Sequence, residues 1–505
     1  MSLIRFFYFN MESIVLTQSQ CGNKYLYETF NKKLTNISNT TYELYQTLSS
    51  AIKEERDIFL QLKEKHPDIS PKEIFNFLEN YGGIDKNEEL NIKTEISEEI
   101  VKHYMANFPQ IVFEVTEKCN LNCKYCTYGD FYDGNTTRSS VSLDVVAALK
   151  LVDYIYAFCV SKYATTAKNI INISFYGGEP LLRFSFIKEI TDYAKSLESN
   201  NVFFQFSMTT NATLLKKHIA FLAENQYRIL ISLDGNEENH SYRIYHNGRN
   251  SFNDVYENVC FVKENYPEYF IKYVNFNSVL HNRNSVAEAN DFIKRNFGKN
   301  PILSEISTDG LKEDRKKELL ELYKNKSEDL QQSEDYYRLL HKENVSEVPD
   351  FKEAMYFIYN LTNLVYFNYT ELFLDNKKSV KPTGTCLPFA RKIFVTANGI
   401  ILPCENVSPK FEFGRVDNKD VHIDFEKLIN FYSGNLKKVQ KLCQKCYRVT
   451  NCYQCMFYLN LEDDNIKCYG FMNEKKFAHY LGRIVTYLEN NPTVFNKIIT
   501  ETSIS

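Results

Sequence analysis

The chain lacks any run of 18 or more apolar residues, so no stretch of it reads as a membrane span. It also lacks a long block of one charge: 60 Lys and Arg stand against 64 Asp and Glu, a net charge of −4. That balance gives no support for a nucleic-acid or anionic-membrane partner. Glycine and proline are scarce, at 17 and 12 in 505 residues, and no internal repeat or low-complexity tract is visible. An export signal is missing too. The opening MSLIRFFYFN has one arginine, its apolar stretch breaks at Asn10 and Glu12, and no small-residue cleavage site follows. The expected location is the cytoplasm. What remains is ordinary globular composition, 44% hydrophobic and 25% charged. The length suggests about three domains.

Against that background the 13 cysteines stand out. In a reducing compartment, clustered cysteines serve as metal ligands or catalytic groups more often than as disulfides. Ten of them form two clusters, Cys119 to Cys126 and Cys386 to Cys468. Cys21, Cys159 and Cys260 stand alone and read as small buried hydrophobes.

Residues 1–105 read as a small α+β domain. Short strands are expected over Ile4–Phe9, Glu12–Thr17 and Lys24–Phe30, then a helix from about Tyr42 to Ile52 and another from Ser70. In the last of these Pro71 takes the first helical position and Glu73 completes a capping box with Ser70. Ile74, Phe77, Leu78 and Tyr81 form one apolar stripe, which Gly82-Gly83 ends.

Residues 106–310 alternate strand and helix. Strands are expected at Ile111–Thr116, Ile170–Phe175, Phe203–Met208, Arg228–Ser232, Ile271–Ser278 and Leu303–Ser307, with helices such as Leu143–Cys159 and Phe252–Asn265 between them. Successive βα units predict an α/β fold, a parallel sheet curved into a partial (β/α)6 barrel. Reactive loops in such folds follow the C-terminal strand ends. Residues 311–380 read as a helical connector, 381–475 as a turn-rich, cysteine-rich domain, and 476–505 as a C-terminal segment with an amphipathic helix at Lys475–Asn490.

Cys119-Asn-Leu-Asn-Cys123-Lys-Tyr-Cys126 is C-x3-C-x2-C, directly after the first strand of the barrel-like region. Three thiolates at this spacing can hold one 4Fe–4S cubane and leave its fourth iron without a protein ligand. An open metal position marks chemistry rather than structure. The residues alone leave a zinc knuckle short of one ligand as the other reading.

This motif resembles that of the radical S-adenosylmethionine (SAM) superfamily, and the resemblance runs on past the cysteines. Tyr125 fills the aromatic place before the third cysteine. Tyr176-Gly177-Gly178-Glu179-Pro180 is similar to the family's Gly-Gly-Glu turn. There the glycines let backbone approach the SAM methionyl group, and the carboxylate, here Glu179, accepts from its amino group. Met208-Thr209-Thr210-Asn211 ends the third strand, and Ser232-Leu233-Asp234-Gly235 looks like the family's Ser-Leu-Asp-Gly segment. By the resemblance Asn211 and Ser232 help seat SAM, joined by Arg243, with Arg249 as the other candidate. Read from the residues alone, Asp234-Gly235 is a plain turn. The resemblance implies reductive cleavage of SAM to methionine and a 5′-deoxyadenosyl radical, which takes hydrogen from an unactivated C–H bond. It also implies an electron donor such as flavodoxin or ferredoxin.

The second cluster runs Cys386, Gly399-x4-Cys404, then Cys443-x2-Cys446-x5-Cys452-x2-Cys455, then Cys468. Paired C-x2-C units also suit tetrahedral zinc. The layout is similar to the SPASM extension of radical SAM enzymes that modify peptides and proteins, except that x2 stands before Cys455 where that pattern has x3. By the resemblance Cys443, Cys446, Cys452 and Cys468 hold one auxiliary 4Fe–4S cluster, and Cys386, Cys404 and Cys455 hold a second with an open iron. The strands and helices of residues 1–105 resemble small winged-helix modules that bind leader peptides. Three functions follow as expectations. The first is a maturase of a ribosomally made peptide. The second is an anaerobic sulfatase-maturing, formylglycine-generating enzyme. The third is a non-catalytic iron–sulfur or zinc scaffold. Glu305 and Asp309 are acid–base candidates no better than surface carboxylates.

Overall fold

The computed structural model describes residues 6–9, 14–29, 31–48, 51–81, 92–107, 110–132, 139–308, 310–332, 349–362, 364, 381–462 and 466–501. They fall into two compact units, one of residues 1–94, 339–385 and 434–505, the other of residues 95–338 and 386–433.

In the first unit β1 (Phe6–Phe9) pairs antiparallel with β5 (Ala51–Glu54), and β2 (Ile14–Gln18), β3 (Lys24–Glu28) and β4 (Lys33–Ile37) form a three-stranded antiparallel sheet. Alternation along β2 and β3 sends neighbours to opposite faces. Ile14 and Leu26 join a core with Leu44, Leu62, Ile74 and Phe77; Val15 and Tyr27 join one with Phe351, Phe357, Phe477 and Leu481. The capping box at Ser70 is present: Ser70 N–H reaches Glu73 Oε2 at 3.0 Å and Glu73 N–H reaches Ser70 Oγ at 3.3 Å. The helix spans Pro71–Tyr81; Gly82-Gly83 lies outside the described residues.

Two expectations in this unit need correction. The helix expected from Tyr42 to Ile52 is Asn39–Thr47, started by Ser38, whose hydroxyl accepts Thr41 N–H at 3.0 Å, and ended by extended Leu48. Residues Ala51–Glu54 pair as a strand instead. Strand β4 escaped notice because only Ile37 of its five residues is buried, so no period-2 pattern shows.

The second unit holds six parallel strands that are neighbours in chain order: β6 (Gln110–Thr116), β7 (Asn169–Gly177), β8 (Val202–Thr210), β9 (Arg228–Ser232), β10 (Val274–Leu280) and β11 (Ile302–Glu305). Helices connect them, among them Val145–Cys159, Phe184–Ser196, Leu215–Glu224, Phe252–Asn265 and Val286–Phe297. One face is sealed by Phe113, Phe175 and Phe186, whose rings meet at 6.2 to 6.4 Å. On the other face the alternate residues of β7 and β8, from Asn172 to Thr209, are only half-buried. The expected strand at Ile271 starts three residues late, because Pro267 opens a short helix over Pro267–Tyr273.

The sheet does not stop at β6. Strand β12 (Ile393–Val395) joins it in parallel, and β13 (Ile400–Leu402), β14 (Gly414–Val416) and β15 (Val421–Ile423) follow antiparallel, making ten strands open at β11 and β15. Three-residue strands carry too little pattern to be seen in sequence. No helix among the described residues is long and apolar enough to cross a membrane.

Candidate functional site

The site lies at the C-terminal ends of β6 to β10, where the chain leaves each strand for its crossover. The Cys119–Cys126 loop follows β6 and is pinned along its length. Asn122 N–H donates to Ile244 O at 2.6 Å and Lys124 N–H to Tyr242 O at 3.0 Å. His246 Nε2 meets Cys119 O at 2.9 Å. The three cysteines are partly exposed.

Gly177 and Gly178 end β7 against the backbone that starts this loop. Gly178 N–H donates to Thr116 O and Glu179 N–H to Lys118 O, both at 2.8 Å. A Cβ on Gly177, which has φ +124°, would lie 2.5 Å from Thr116 O, and one on Gly178 would lie 2.0 Å from Lys118 O. The glycine pair is therefore already required by protein packing, apart from any approach to a ligand.

Glu179 is buried and accepts three bonds: Thr210 Oγ1 at 2.7 Å, Asn211 N–H at 2.8 Å and Leu181 N–H at 3.1 Å. Burial pushes its carboxyl up to about 7, against the pull of those donors. Asn211 carries the link onward. Its Nδ2 donates to Asn120 Oδ1 at 2.9 Å and lies 3.7 Å from the Cys119 sulfur. Ser232 sits half-buried at the end of β9, in register with Asn277.

Arg243 is buried against the same loop. Its Nε and Nη2 donate to the two oxygens of Asp234 at 2.9 and 3.0 Å, and its guanidinium lies 5.4 Å above the Tyr125 ring. Arg249, the other candidate, is exposed and pairs with Asp254 at 2.6 Å. Burial would raise the Asp234 carboxyl, but the Arg243 charge, with His281 and His240 beside it, holds it well below the usual range. The sequence places this residue in the segment that resembles Ser-Leu-Asp-Gly, with a plain turn as the other reading, and gives its side chain no role. A carboxylate two residues past the end of β9 was the available signal; nothing in the sequence marks its neighbours His240 and His281.

A second group of titratable side chains lies behind Cys126. Tyr176 is pushed up to about 12, by burial first and then by Cys126, Glu405 and Glu114. Glu114 accepts Ala397 N–H at 2.8 Å and is raised by burial. Glu405 is bound to Lys392 at 2.8 Å and accepts from the Cys404 thiol at 3.3 Å. Glu305 is exposed and accepts from Tyr323 at 2.9 Å; Asp309 lies outside the described residues.

In the first unit the thiol of Cys443 is pushed up to about 12, by burial and then by the nearby thiols of Cys452, Cys446 and Cys468. Four thiols is the number that a 4Fe–4S cubane takes. Cys455 belongs to this unit, whereas Cys386 and Cys404 belong to the other. Among the described residues no three His, Cys, Asp or Glu side chains converge as ligands of a single metal ion. A cubane's thiolates go to different irons and need no such convergence. Of the lone cysteines, Cys159 is buried as expected, Cys260 is partly exposed, and Cys21 is exposed, its thiol 3.7 Å from Asn490 Oδ1.

An α/β protein with a three-thiol loop at the mouth of a six-strand parallel run defines the class. Comparison adds that residues 113–295 match the radical SAM superfamily, so this stretch of the chain is a radical SAM domain. The cysteine-type anaerobic sulfatase-maturating enzyme of Clostridium novyi (strain NT) is 29% identical over 181 residues, 35% of this chain and 46% of that protein. The radical SAM cyclopropyl synthase TigE of Paramaledivibacter caminithermalis is 23% identical over 348 residues, 67% of this chain and 65% of that one. The solved structure of native anSMEcpe with bound AdoMet and the Cp18Cys peptide matches with TM-score 0.50 at 19% identity, over 78% of this chain and 99% of that one, a likeness of fold. The chain spans about half the length of two of the curated relatives it matches.

Proposed function

We propose that the protein is a radical SAM maturase that modifies a ribosomally made peptide by hydrogen abstraction. The observation that carries this reading is the join of the C-x3-C-x2-C loop to Glu179 through Asn211, with Arg243 over the loop's Tyr125. Cys119, Cys123 and Cys126 would hold a 4Fe–4S cluster, and Gly177, Gly178, Glu179, Asn211, Ser232 and Arg243 would line SAM. Cluster and SAM together supply a one-electron cleavage that yields a carbon-centred radical able to break an unactivated C–H bond. The chain's own task is to bind, orient and exclude water.

Cys443, Cys446, Cys452 and Cys468 would hold one auxiliary cluster; the electrostatic influence of the other three thiols on Cys443 supports this. Residues 1–105 are proposed as the leader-recognition domain. Strand β4 has a single neighbour among the described strands, which leaves an edge that an extended leader can join by strand addition.

Sulfatase-type maturation, oxidation of a Cys or Ser to formylglycine, is the second reading. It is favoured by the likeness to sulfatase-maturating enzymes, one of which matches over 83% of its own length. Anaerobic incubation with SAM and dithionite tests the enzyme class, with 5′-deoxyadenosine as the expected product. Its absence would leave a binding scaffold. Mass spectrometry of a small peptide encoded beside the gene, after coexpression, separates the two maturases. A crosslinked, epimerised or oxidised product favours the first reading. An untouched peptide, with a sulfatase-derived peptide converted to formylglycine, favours the second.

A further inference from the structure

We propose that Asp234 and His281 are positioning residues that seat Tyr125 and Arg243 beside the three-thiol loop and so set how tightly SAM binds there. The inference rests on the radical SAM reading and concerns residues that no part of that reading uses.

Asp234 has zero exposure and gathers four donors: Arg243 Nε at 2.9 Å, Arg243 Nη2 at 3.0 Å, Val279 N–H at 2.9 Å, and the Tyr125 hydroxyl. A buried ion pair of this kind is no route to stability, because apolar residues of like volume usually do as well. What it does supply is fixed geometry. Tyr125 lies between Cys123 and Cys126, so holding its hydroxyl holds the end of the loop that carries these two thiols.

His281 completes the seat. It is fully buried, and its ring stacks on Tyr125 with centroids 5.6 Å apart and planes at 28°. Nδ1 accepts Arg283 N–H at 3.1 Å, which places the ring proton on Nε2. Among the described residues that nitrogen has no hydrogen-bond partner, and it points at Asp234 Oδ2 from 3.7 Å. A buried donor left without a full bond is costly, so the Nε2 proton is not there for packing. The imidazole instead keeps a proton aimed at the carboxylate that anchors both Tyr125 and Arg243. Tyr125 is therefore held at its hydroxyl by Asp234 and on its ring by His281 and Arg243.

The test uses the anaerobically reconstituted full chain, with SAM as the probe. Calorimetry gives the SAM affinity, and EPR of the reduced protein with and without SAM reports the cluster's surroundings. Wild type should bind SAM and shift its EPR signal on binding; failure there would overturn the radical SAM reading itself. His281→Phe keeps the ring and should keep the melting temperature, yet lose about fivefold in SAM affinity with an altered SAM-dependent signal. His281→Gln, which restores an N–H at similar reach, should recover most of the loss. Asp234→Asn should lose about tenfold or more. If that variant does not fold, Tyr125→Phe, which removes only the hydroxyl, takes its place. His281→Phe and Tyr125→Phe that both match wild type in affinity and spectrum would overturn the proposal.

Discussion

The carboxylate of Glu179 accepts the backbone N–H of Asn211 at 2.8 Å, and the side chain of Asn211 reaches 3.7 Å from the Cys119 sulfur. Two strand ends and the thiol loop are thus tied by one short chain of polar contacts. Glu179 has little freedom in it, since its oxygens take donors from three residues of the two loops it joins. Whatever binds at the thiols meets a preassembled wall, which places strict demands on the backbone that builds it.

Gly178→Ala is the sharpest probe of that wall. The added methyl would stand 2.0 Å from Lys118 O, a backbone atom with no room to yield. Overpacking costs about 1–3 kcal/mol, with the upper end expected where the obstacle is backbone. The expected result is a lowered denaturation midpoint together with loss of iron at the first cluster, because Lys118 precedes Cys119. A variant with wild-type midpoint and iron content would show that the loop can shift freely.

Glu179 sets a pH dependence. Its folded carboxyl titrates near 7, raised by burial, so below that pH it is mostly protonated in the ligand-free protein. On the proposed reading a SAM amino group donates to it and favours the ionised form. Binding then releases a proton, and SAM affinity rises with pH up to about 7, by at most about tenfold per unit, and levels above. Titrations between pH 5.5 and 8.5 check this, and Glu179→Gln should flatten the curve.

Much of this site was legible in the sequence because its chemistry sits in contiguous motifs. The loop Cys119 to Cys126, the Gly177-Gly178-Glu179 turn and the strand ends at Asn211 and Ser232 are each local patterns. Helix Phe252–Asn265 and strand Arg228–Ser232 fall where periodicity puts them. The parts that did not show are those made by long-range contact. His281 meets Tyr125 across more than 150 residues of chain, and no local pattern marks it. Strands β12 to β15 are only three residues each, and their membership of the main sheet depends on pairing with distant Ile111 and Phe113. Asp234 looks like a turn residue until Arg243 is seen against it.

The two cysteine clusters should separate in a mutant series. Cys123→Ala should abolish 5′-deoxyadenosine formation, since the radical-generating cluster loses one of its three thiolates. Cys446→Ala should remove about four irons per chain while some SAM cleavage continues without peptide product. Iron analysis and product quantification by chromatography check both. Equal loss in both variants would mean that the C-terminal cysteines serve folding instead.

His240 gives the last prediction, one of stability. Burial drives its imidazole down to about 3; Asp234 opposes the shift and the Arg243 charge adds to it. The neutral ring is wired in place: Nδ1 accepts Asp234 N–H at 3.4 Å, Nε2 meets Ser251 Oγ at 3.1 Å, and Ser251 donates to Arg243 O at 2.7 Å. Between about 3 and the usual 6.5 the unfolded chain binds a proton that the folded one refuses. Folding stability is therefore full above about 6.5 and falls as pH drops, by at most about 1.4 kcal/mol per unit from this group. The depressed Asp234 carboxyl acts in the same sense, but only below its ordinary value of 3.8. Denaturant midpoints of the reconstituted protein should hold steady from pH 8 to 7 and decline from 6.5 to 5.5. His240→Gln should be weaker at pH 8, having lost the ring's fit, yet show a shallower decline over the lower interval. An equal slope in wild type and variant would assign the acid sensitivity to other groups.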